Sequence, residues 1–182
     1  MSKENIERFL YECQAADSDI LQENKIRAKT ILTEAGKIAD KIYFVKKGCL
    51  RLWYNNEGEE ITLEFFFEGD MVFSVESFIT RKPGIFSIET LEDSTVLELN
   101  RKSYDDLSNS APGIKELLYE TMISRFSLII KRLLFDLKNT PQKRYQELLN
   151  SRSELIQRIP QHYIASYLGI TPVSLSRIRN RK

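Results

Sequence analysis

The sequence predicts an α+β protein in which an antiparallel β-sandwich or barrel precedes one long helix and a set of short helices. Between about residues 25 and 100, short apolar runs alternate with turn signals at close and regular spacing. Because no helical pattern separates these runs, we expect antiparallel strands and not a parallel α/β sheet. After residue 110 the apolar residues recur every three or four positions, which indicates helices.

The length and composition agree with a folded protein of one or two domains. The 182 residues include 42% hydrophobic and 29% charged side chains, a balance typical of globular proteins. No apolar run reaches the roughly 18 residues that a membrane span needs. The first residues are polar and acidic, where a signal peptide would be basic and then apolar. We therefore expect a cytoplasmic protein with no membrane partner.

The first predicted element is a short amphipathic helix at residues 3–14, whose apolar side chains lie three and four positions apart. Strand-like runs follow, and turns that contain Gly, Pro, Asn or Asp separate them. The predicted strands are residues 42–45, 49–54, 61–67, 71–75, 85–89 and 95–99.

A long helix is predicted at residues 110–138. Ser110 is able to cap its first turn, and Pro112 suits that turn because a proline there gives up no helical hydrogen bond. Further along, apolar residues alternate at spacings of three and four, which is the a/d seam of a coiled coil. The predicted seam consists of Ile123, Phe126, Ile130, Leu133 and Leu137.

A second apolar stripe runs beside this seam. A helix that is apolar on two sides needs two surfaces against which to bury them. We expect these surfaces to be its own β domain and a second copy of the chain. The alternative is a helix buried entirely within one chain. The second stripe consists of Leu117, Leu118, Met122, Ile129 and Leu134.

Short helices are predicted at residues 143–150 and 154–158, and a final pair at 161–178 has the pattern of a helix-turn-helix. Ala165 allows the two helices to cross closely, and Gly169 supplies a turn conformation that is costly for other residues. Thr171 and Pro172 give the second helix an N-cap and a first-turn proline. The apolar residues between the two helices are Ile164, Leu168, Ile170, Leu175 and Ile178.

The outward side of the second helix has the chemistry of a DNA-reading surface. The forked donors of Arg177 suit the edge of guanine, and further basic residues suit phosphates. The alternative is a purely structural helical hairpin. The predicted DNA-binding residues are Thr171, Val173, Ser174, Arg177, Arg179, Arg181 and Lys182.

Charge divides along the chain. Residues 141–182 carry 8 Lys or Arg against 2 Glu, a net charge of +6, whereas residues 1–140 carry a net charge of −5. An acidic body with a basic C-terminal segment is typical of a protein whose end meets a polyanion. We therefore expect the C-terminal helices, and not the β domain, to bind nucleic acid.

Histidine and cysteine usage argues against an enzyme. His162 is the only histidine, and Cys13 and Cys49 are the only cysteines, so the sequence lacks the ligands of a typical zinc, iron or iron–sulfur site. It also contains no G-x-S-x-G, P-loop or G-x-G-x-x-G pattern. We expect no catalytic residues, no metal and no cofactor.

The order of β domain, long helix and helix-turn-helix resembles the Crp/Fnr family of bacterial transcription regulators. The resemblance covers nearly the whole chain and rests on the stretches KIYFVKKGCLRL (41–52), EGD (68–70), IASYLGIT (164–171) and SRI (176–178). It implies a jelly-roll-like, cyclic-nucleotide-binding type of sensor domain at residues 1–109, a dimerisation helix at 110–138 and a DNA-binding domain at 139–182. The implied partners are a second copy of the chain, an inverted-repeat DNA operator and RNA polymerase.

Two departures from the family pattern limit what the resemblance implies. Family members that bind cyclic AMP hold its ribose with a Glu and its cyclic phosphate with an Arg, but neither charge is present at the matching residues 73–75 and 84–86. The chain also stops four residues after Ile178, so we expect no β-hairpin wing after the recognition helix. The candidate effector-pocket residues are Phe73, Ser74, Val75, Arg81, Lys82, Gly84 and Ile85.

Three functions therefore compete. The favoured one is a homodimeric, sequence-specific DNA-binding regulator whose degenerate pocket does not bind cyclic AMP. The second is a regulator that senses a cyclic nucleotide or another small anion through backbone N–H groups and Arg81 or Lys82, although an exposed turn with two solvated cations is the favoured interpretation of these two residues. The third, a cupin-type enzyme on the same β-roll, is nearly excluded because the only histidine lies in the helix-turn-helix.

Overall fold

The β domain consists of two four-stranded antiparallel sheets in the computed structural model, which describes residues 3–17, 19–111 and 113–180. One sheet has the strand order β1-β8-β3-β6 and the other β2-β7-β4-β5. This arrangement confirms the predicted α+β class with an antiparallel β domain. The strands are β1 (Gln22–Ile26), β2 (Ile31–Thr33), β3 (Lys41–Lys47), β4 (Leu50–Asn56), β5 (Glu59–Phe66), β6 (Met71–Val72), β7 (Ser87–Thr90) and β8 (Ser94–Asn100).

Helices precede the sheets, interrupt them once and then follow them to the C-terminal side. None of the described helices combines the length and the apolar character that a bilayer span requires. The helices are α1 (Lys3–Ala16), α2 (Val75–Thr80), α3 (Arg101–Ser110), α4 (Gly113–Lys138), α5 (Pro141–Ser151), α6 (Ser153–Arg158), α7 (Gln161–Tyr167) and α8 (Pro172–Asn180).

Strand β3 lies at the centre of the β domain because it is apolar on both faces. Ile42 and Phe44 pack with residues of α1, α3 and α4, while Tyr43 and Val45 pack against the other sheet. Successive side chains of a strand point to opposite faces, so one strand serves two cores. The molecule is therefore layered as helices, first sheet and second sheet.

A third core joins the second sheet to the C-terminal helices. Cys49, Phe65 and Phe67 of the β domain share one buried cluster with apolar residues of α5, α6, α7 and α8. Burial raises the pKa of the Cys49 thiol to about 12 and does the same for Cys13 near the N-terminus. Both cysteines are free thiols.

The structure corrects the predicted boundaries of two elements, the long helix and the strand at residues 71–75. Ser110 does not begin the long helix; it ends α3, and its hydroxyl donates to the carbonyl oxygens of Asp106 and Leu107. Pro112, the predicted first-turn proline, lies outside the described residues. The strand predicted at 71–75 ends at Val72, because the chain turns at Ser74 to start α2.

Candidate nucleic-acid interface

Helices α7 and α8 form a helix-turn-helix around a left-handed glycine. Gly169 has a φ of +64°, a conformation that a side chain would strain. The Thr171 hydroxyl accepts a hydrogen bond from the Ser174 N–H at 3.1 Å and so caps α8. Leu168 and Leu175 are buried between the two helices. Ile164 is also buried there, and Ile170 and Ile178 are partly buried against the same cluster.

The outer face of α8 is open. Val173 is 61% exposed, and Arg177 and Arg179 are exposed as well. Within the described part of the chain, neither guanidinium has a hydrogen-bond or ion-pair partner, and α8 contains no acidic residue. Ser174 is half-buried, with its hydroxyl 3.0 Å from that of Thr171. The predicted DNA-binding residues Arg181 and Lys182 lie outside the described residues.

Helix α7 packs against β5, which is the edge strand of the second sheet. The Ser166 hydroxyl accepts a hydrogen bond from the Thr62 N–H at 2.9 Å and donates one to the Glu60 carbonyl oxygen at 2.8 Å. An edge strand leaves one row of backbone groups without a partner strand. Ser166 therefore satisfies two groups of β5 that no other strand in the described structure reaches.

Beneath α7 lies Arg51 of β4, whose side chain is fully buried (0% exposed). Its guanidinium donates to Glu89 at 2.7 Å, to Glu60 at 2.5 Å and to the Thr62 hydroxyl at 3.2 Å. The ring of Tyr163 on α7 covers it, with the centroid 3.9 Å away. A buried charge is tolerated only when paired and hydrogen-bonded, and Arg51 meets both conditions.

Arg132 of α4 joins the long helix to β5 and to α7. It donates to the carbonyl oxygens of Leu63 at 2.7 Å and Tyr167 at 2.9 Å. Its guanidinium also lies 3.5 Å from the centroid of the Tyr167 ring. Burial raises the pKa of Tyr167 to about 12, so the ring stays neutral under Arg132.

Arg152 and Arg158 fasten α5 and α6 to the β domain. Arg152 donates to Glu64 at 2.8 Å and to the Phe65 carbonyl oxygen at 3.0 Å. Arg158 pairs with Glu68 at 2.9 Å and also with Glu92. Hydrogen bonds from Arg158, assisted by the Gly48 N–H, lower the pKa of Glu68 to about 2.

These contacts between the β domain and the C-terminal helices were missed in the sequence analysis. It treated Arg152 and Arg158 as part of a positively charged end, although each pairs with a glutamate of the β domain. Ser166 is separated from Glu60 by 106 positions. No short motif links residues so far apart, and only the surplus of glutamates in the β domain hinted at partners for the arginines.

In the candidate effector pocket, Gly84 lies close to two serine side chains. Gly84 is buried, and a Cβ there would lie 2.7 Å from the Ser74 hydroxyl oxygen and 3.1 Å from Ser77 Cβ. The Ser77 hydroxyl accepts from the Ala39 N–H and donates to the Lys82 carbonyl oxygen. A side chain at position 84 would therefore require Ser74 or Ser77 to shift.

The other candidate pocket residues divide into a buried and an exposed set. Phe73 is buried and contacts Phe78 edge to face at a centroid distance of 5.4 Å. Arg81 donates to the Ala39 carbonyl oxygen at 3.3 Å, although most of its side chain is exposed. Val75, Lys82 and Ile85 are exposed too. The structure thus brings Phe73, Ser74 and Gly84 together and leaves the two cations at the surface.

Helix α4 is buried in its first half and exposed in its second. Leu117 and Leu118 of the second stripe are buried, but Ile129 and Leu134 of the same stripe are exposed. These exposures do not fit the alternative of a helix buried entirely within one chain. Every seam residue is exposed, from 38% at Ile130 to 76% at Leu137, with Ile123, Phe126 and Leu133 between these values.

His162 is exposed at the start of α7. No group of three or more His, Cys, Asp and Glu side chains within the described ranges could hold a metal ion.

Comparison with known proteins agrees with this architecture. Residues 23–110 match the family model of the cyclic nucleotide-binding domain. The anaerobic regulatory protein of Haemophilus influenzae is 24% identical over 182 residues, which cover 93% of this chain and 70% of that protein. The fumarate and nitrate reduction regulatory protein of Escherichia coli is 24% identical over 186 residues, which cover 94% and 72%.

Solved structures share the fold. A Crp/Fnr-family structure from Eubacterium rectale superposes with a TM-score of 0.74 at 23% identity, covering 91% of this chain and 80% of that one. FixK2 from Bradyrhizobium japonicum gives a TM-score of 0.74 at 18% identity, with coverages of 89% and 84%. Residues 23–110 thus match the cyclic nucleotide-binding domain, and over most of its length the chain is similar to bacterial regulatory proteins and shares the fold of a Crp/Fnr-family structure.

Proposed function

We propose that this chain is a homodimeric transcription regulator that reads an inverted-repeat DNA operator through α8. The observation that carries the proposal is the exposed surface of α8, where Val173 and Arg177 share the outer face, Arg179 is exposed beside them and the helix contains no acidic residue. Arginine forks suit guanine edges and phosphates. The relatives named above are regulatory proteins, which supports the same function and argues against an enzyme.

Dimer formation follows from the second half of α4. Five apolar seam residues at alternating spacings of three and four stay exposed in the single chain, and a large exposed apolar patch is typical of an interaction site. The spacing suits a coiled coil with a second copy of the same helix. Helix α4 is then the dimerisation helix, within a division of the chain into a sensor-like domain at 1–109, the dimerisation segment at 110–138 and a DNA-binding domain at 139–182.

Two recognition helices related by a twofold axis enter successive major grooves about 34 Å apart. The operator is therefore an inverted repeat with half-sites roughly one helical turn apart. Transcription control from such a site takes place in the cytoplasm and adds RNA polymerase as a partner.

The effector pocket does not bind cyclic AMP in this proposal. Ser74 stands where a ribose-binding carboxylate is required, and Gly84 has no space for the side chain that would bind the phosphate. A bidentate arginine is the strongest contact that such a ligand makes. Arg81 donates to a backbone carbonyl oxygen, and Lys82 lies at the surface, so neither replaces it.

The test is selection of binding sites from a randomised double-stranded DNA library with the purified full chain. We expect enrichment of an inverted repeat with half-site centres roughly one turn apart. The variant Arg177→Ala/Arg179→Ala, checked for an unchanged melting temperature, should lose most of this enrichment. A library that returns no enriched sequence, or only single half-sites, would contradict the proposal.

A further inference from the structure

We propose that the contact between α7 and β5 sets the spacing of the two DNA half-sites, and that Tyr163 and Ser166 are its positioning residues. The inference deepens the proposed function and depends on it. Neither side chain belongs to the outer face of α8; Tyr163 contacts Arg51, and Ser166 contacts the backbone of β5. Their influence on DNA therefore acts through the position of α8.

The covalent connection alone does not fix where α8 lies relative to the dimer seam. Only Asn139 and Thr140 join α4 to α5, and such a short joint between helices leaves the angle between them to be set by packing. Residues 141–180 are thus held in place by what they contact. Many of those contacts fall on one strand, β5, and on the arginine beneath it, while Arg158 pairs with Glu68 and Glu92 outside that strand.

Strand β5 offers a row of fixed attachment points because it is the edge strand of its sheet. Ser166 bonds to the Thr62 N–H and the Glu60 carbonyl oxygen. Arg132 bonds to the Leu63 carbonyl oxygen, and Arg152 bonds to that of Phe65. A backbone edge is a stiffer support than side chains alone, since both its directions and its spacing are set by pairing with β4.

Ser166 determines where α7 lies along β5. Its hydroxyl is a donor to Glu60 and an acceptor from Thr62 at the same time, at 2.8 Å and 2.9 Å. A shift of α7 by one residue along the strand would put Ser166 opposite groups that bond to β4 instead. The serine therefore specifies one register.

Tyr163 determines the rotation of α7 on the sheet. It lies three residues before Ser166, which places both side chains on the same helix face. Its ring covers the Arg51 guanidinium at 3.9 Å, and Arg51 is immobilised by Glu60, Glu89 and Thr62. Two contacts one turn apart hold a short helix against both sliding and rolling.

The position of α7 determines the position of α8. Leu168 and Leu175 are buried between the two helices, and Gly169 holds the turn in one conformation. The path from the dimer seam to the recognition helix is then rigid: α4, β5, α7, α8. A rigid path specifies a single distance and angle between the two recognition helices of a dimer.

Because DNA is helical, a dimer with fixed recognition helices distinguishes operators by the spacing of their half-sites. One extra base pair between half-sites moves them apart by about 3.4 Å and rotates one against the other by about 35°. A fixed protein cannot follow both changes. We expect such a misfit to cost at least as much as one mismatched base pair, about tenfold in affinity.

The test measures affinity for a series of operators that differ only in spacer length. The half-site is the one selected by the wild-type chain, and the spacer is shortened or lengthened by one and two base pairs. The variants are Tyr163→Leu/Ser166→Ala and the milder Ser166→Ala. Ser153→Ala is the matched control, because Ser153 is an exposed serine of the same helical unit with no contact to β5 among the described residues.

The wild-type chain and the Ser153→Ala control should prefer one spacer by about tenfold over its neighbours. The double variant should reduce this preference to about threefold or less, and Ser166→Ala should fall between them, while the base preference within each half-site stays unchanged. An unchanged spacer preference in both variants, even with weaker binding overall, would overturn the inference and leave the proposed function intact. A wild-type chain that binds no inverted repeat would overturn both.

Discussion

Helices α4 to α8 have an inward side, which faces the β domain, and an outward side, which faces away from it. The two sides differ in whether their arginines find hydrogen-bond acceptors within the chain. On the inward side, Arg132, Arg152 and Arg158 each bond to carboxylates or carbonyl oxygens of the β domain. On the outward side, Arg177 and Arg179 have no such partner within the described structure. The same residue type therefore has two roles, and the presence of an acceptor in the chain tells them apart.

This difference shows why segment charge is a coarse guide to a binding surface. The net charge of +6 in residues 141–182 predicts a polyanion-binding segment, but it includes Arg152 and Arg158. Both are neutralised by glutamates of the β domain. The charge available to a polyanion is thus smaller than the sequence suggests, and among the described residues it is carried by Arg177 and Arg179 of α8 and by Lys143 and Arg144 of α5.

The largest expected effect comes from the outward side of α4. Phe126→Glu/Ile130→Glu places two carboxylates in the apolar seam, where each would be buried without a partner in a dimer. We expect a complete change from dimer to monomer or aggregate in analytical ultracentrifugation. Lys131→Glu, an acidic substitution on the same helix outside the seam, should remain dimeric. A wild-type chain that sediments as a monodisperse monomer would contradict the seam.

Substitution of an outward arginine should change specificity, and substitution of an inward one should not. Arg177→Ala should cost about 1–3 kcal/mol of binding free energy and relax the preference at one base pair in each half-site. Arg158→Gln should leave the base preferences unchanged, because its partners lie in the β domain. Binding-site selection with both variants measures these base preferences. Identical preferences for the wild type and Arg177→Ala would mean that Arg177 contacts only phosphate.

Acid should weaken the contact between Glu68 and Arg158. Its pKa is lowered from 4.5 to about 2 in the folded chain, so its contribution is present above pH 4.5 and is lost as the pH falls towards 2. Because the pair with Arg158 is partly solvated, we expect only about 1 kcal/mol of unfolding free energy from it. Glu68→Gln should remove that part of the pH dependence in denaturant titrations between pH 5 and 2.

For Glu68, the informative comparison is between the wild type and Glu68→Gln in how the free energy of unfolding depends on pH. A Glu68→Gln profile parallel to that of the wild type would mean that the ion pair with Arg158 contributes no measurable stability. The neighbouring carboxylate Glu92 also pairs with Arg158, so Glu92→Gln serves as the comparison on the same arginine.

The smallest effect is expected from cyclic AMP. Since Ser74 and Ser77 crowd the position of Gly84, where the phosphate-binding arginine would be needed, a saturating concentration of cyclic AMP should leave the melting temperature unchanged. A ligand at one hundred times its Kd would stabilise the folded state by about 2.7 kcal/mol, which a thermal melt detects easily. A saturable upward shift at micromolar cyclic AMP would show that other residues have replaced the missing carboxylate and guanidinium.

Local patterns were read correctly from the sequence, and distant contacts were not. The α7–α8 pair was predictable because Gly169, Thr171 and the buried leucines lie within a dozen residues. Helix α3 was overlooked, although Asn100 caps it by accepting from the Ser103 N–H. Strands β1 and β2 are short and largely exposed, so they lack the apolar alternation that marks a strand.

The docking of α7 on β5 lay beyond sequence reasoning for a different reason. Its residues are ordinary in isolation: an arginine in a strand, a tyrosine and a serine in a short helix. Their roles arise from pairing across more than a hundred positions, such as Thr62 with Ser166. Only the folded chain shows that Arg51, fully buried, supports a helix that belongs to the opposite end of the sequence.

The contact of α7 with β5 also has a consequence while the chain is being synthesised. Glu60 leaves the ribosome 106 residues before Ser166, which at 5–20 residues per second is a delay of about 5–20 s. Once β7 has also emerged, the sheet can assemble while the β5 edge still lacks its contact with α7, and a bare edge invites strands of neighbouring nascent chains. The C-terminal helices thus protect the β domain from aggregation as soon as they emerge, and translation that stops after residue 140 would release a chain with this edge open.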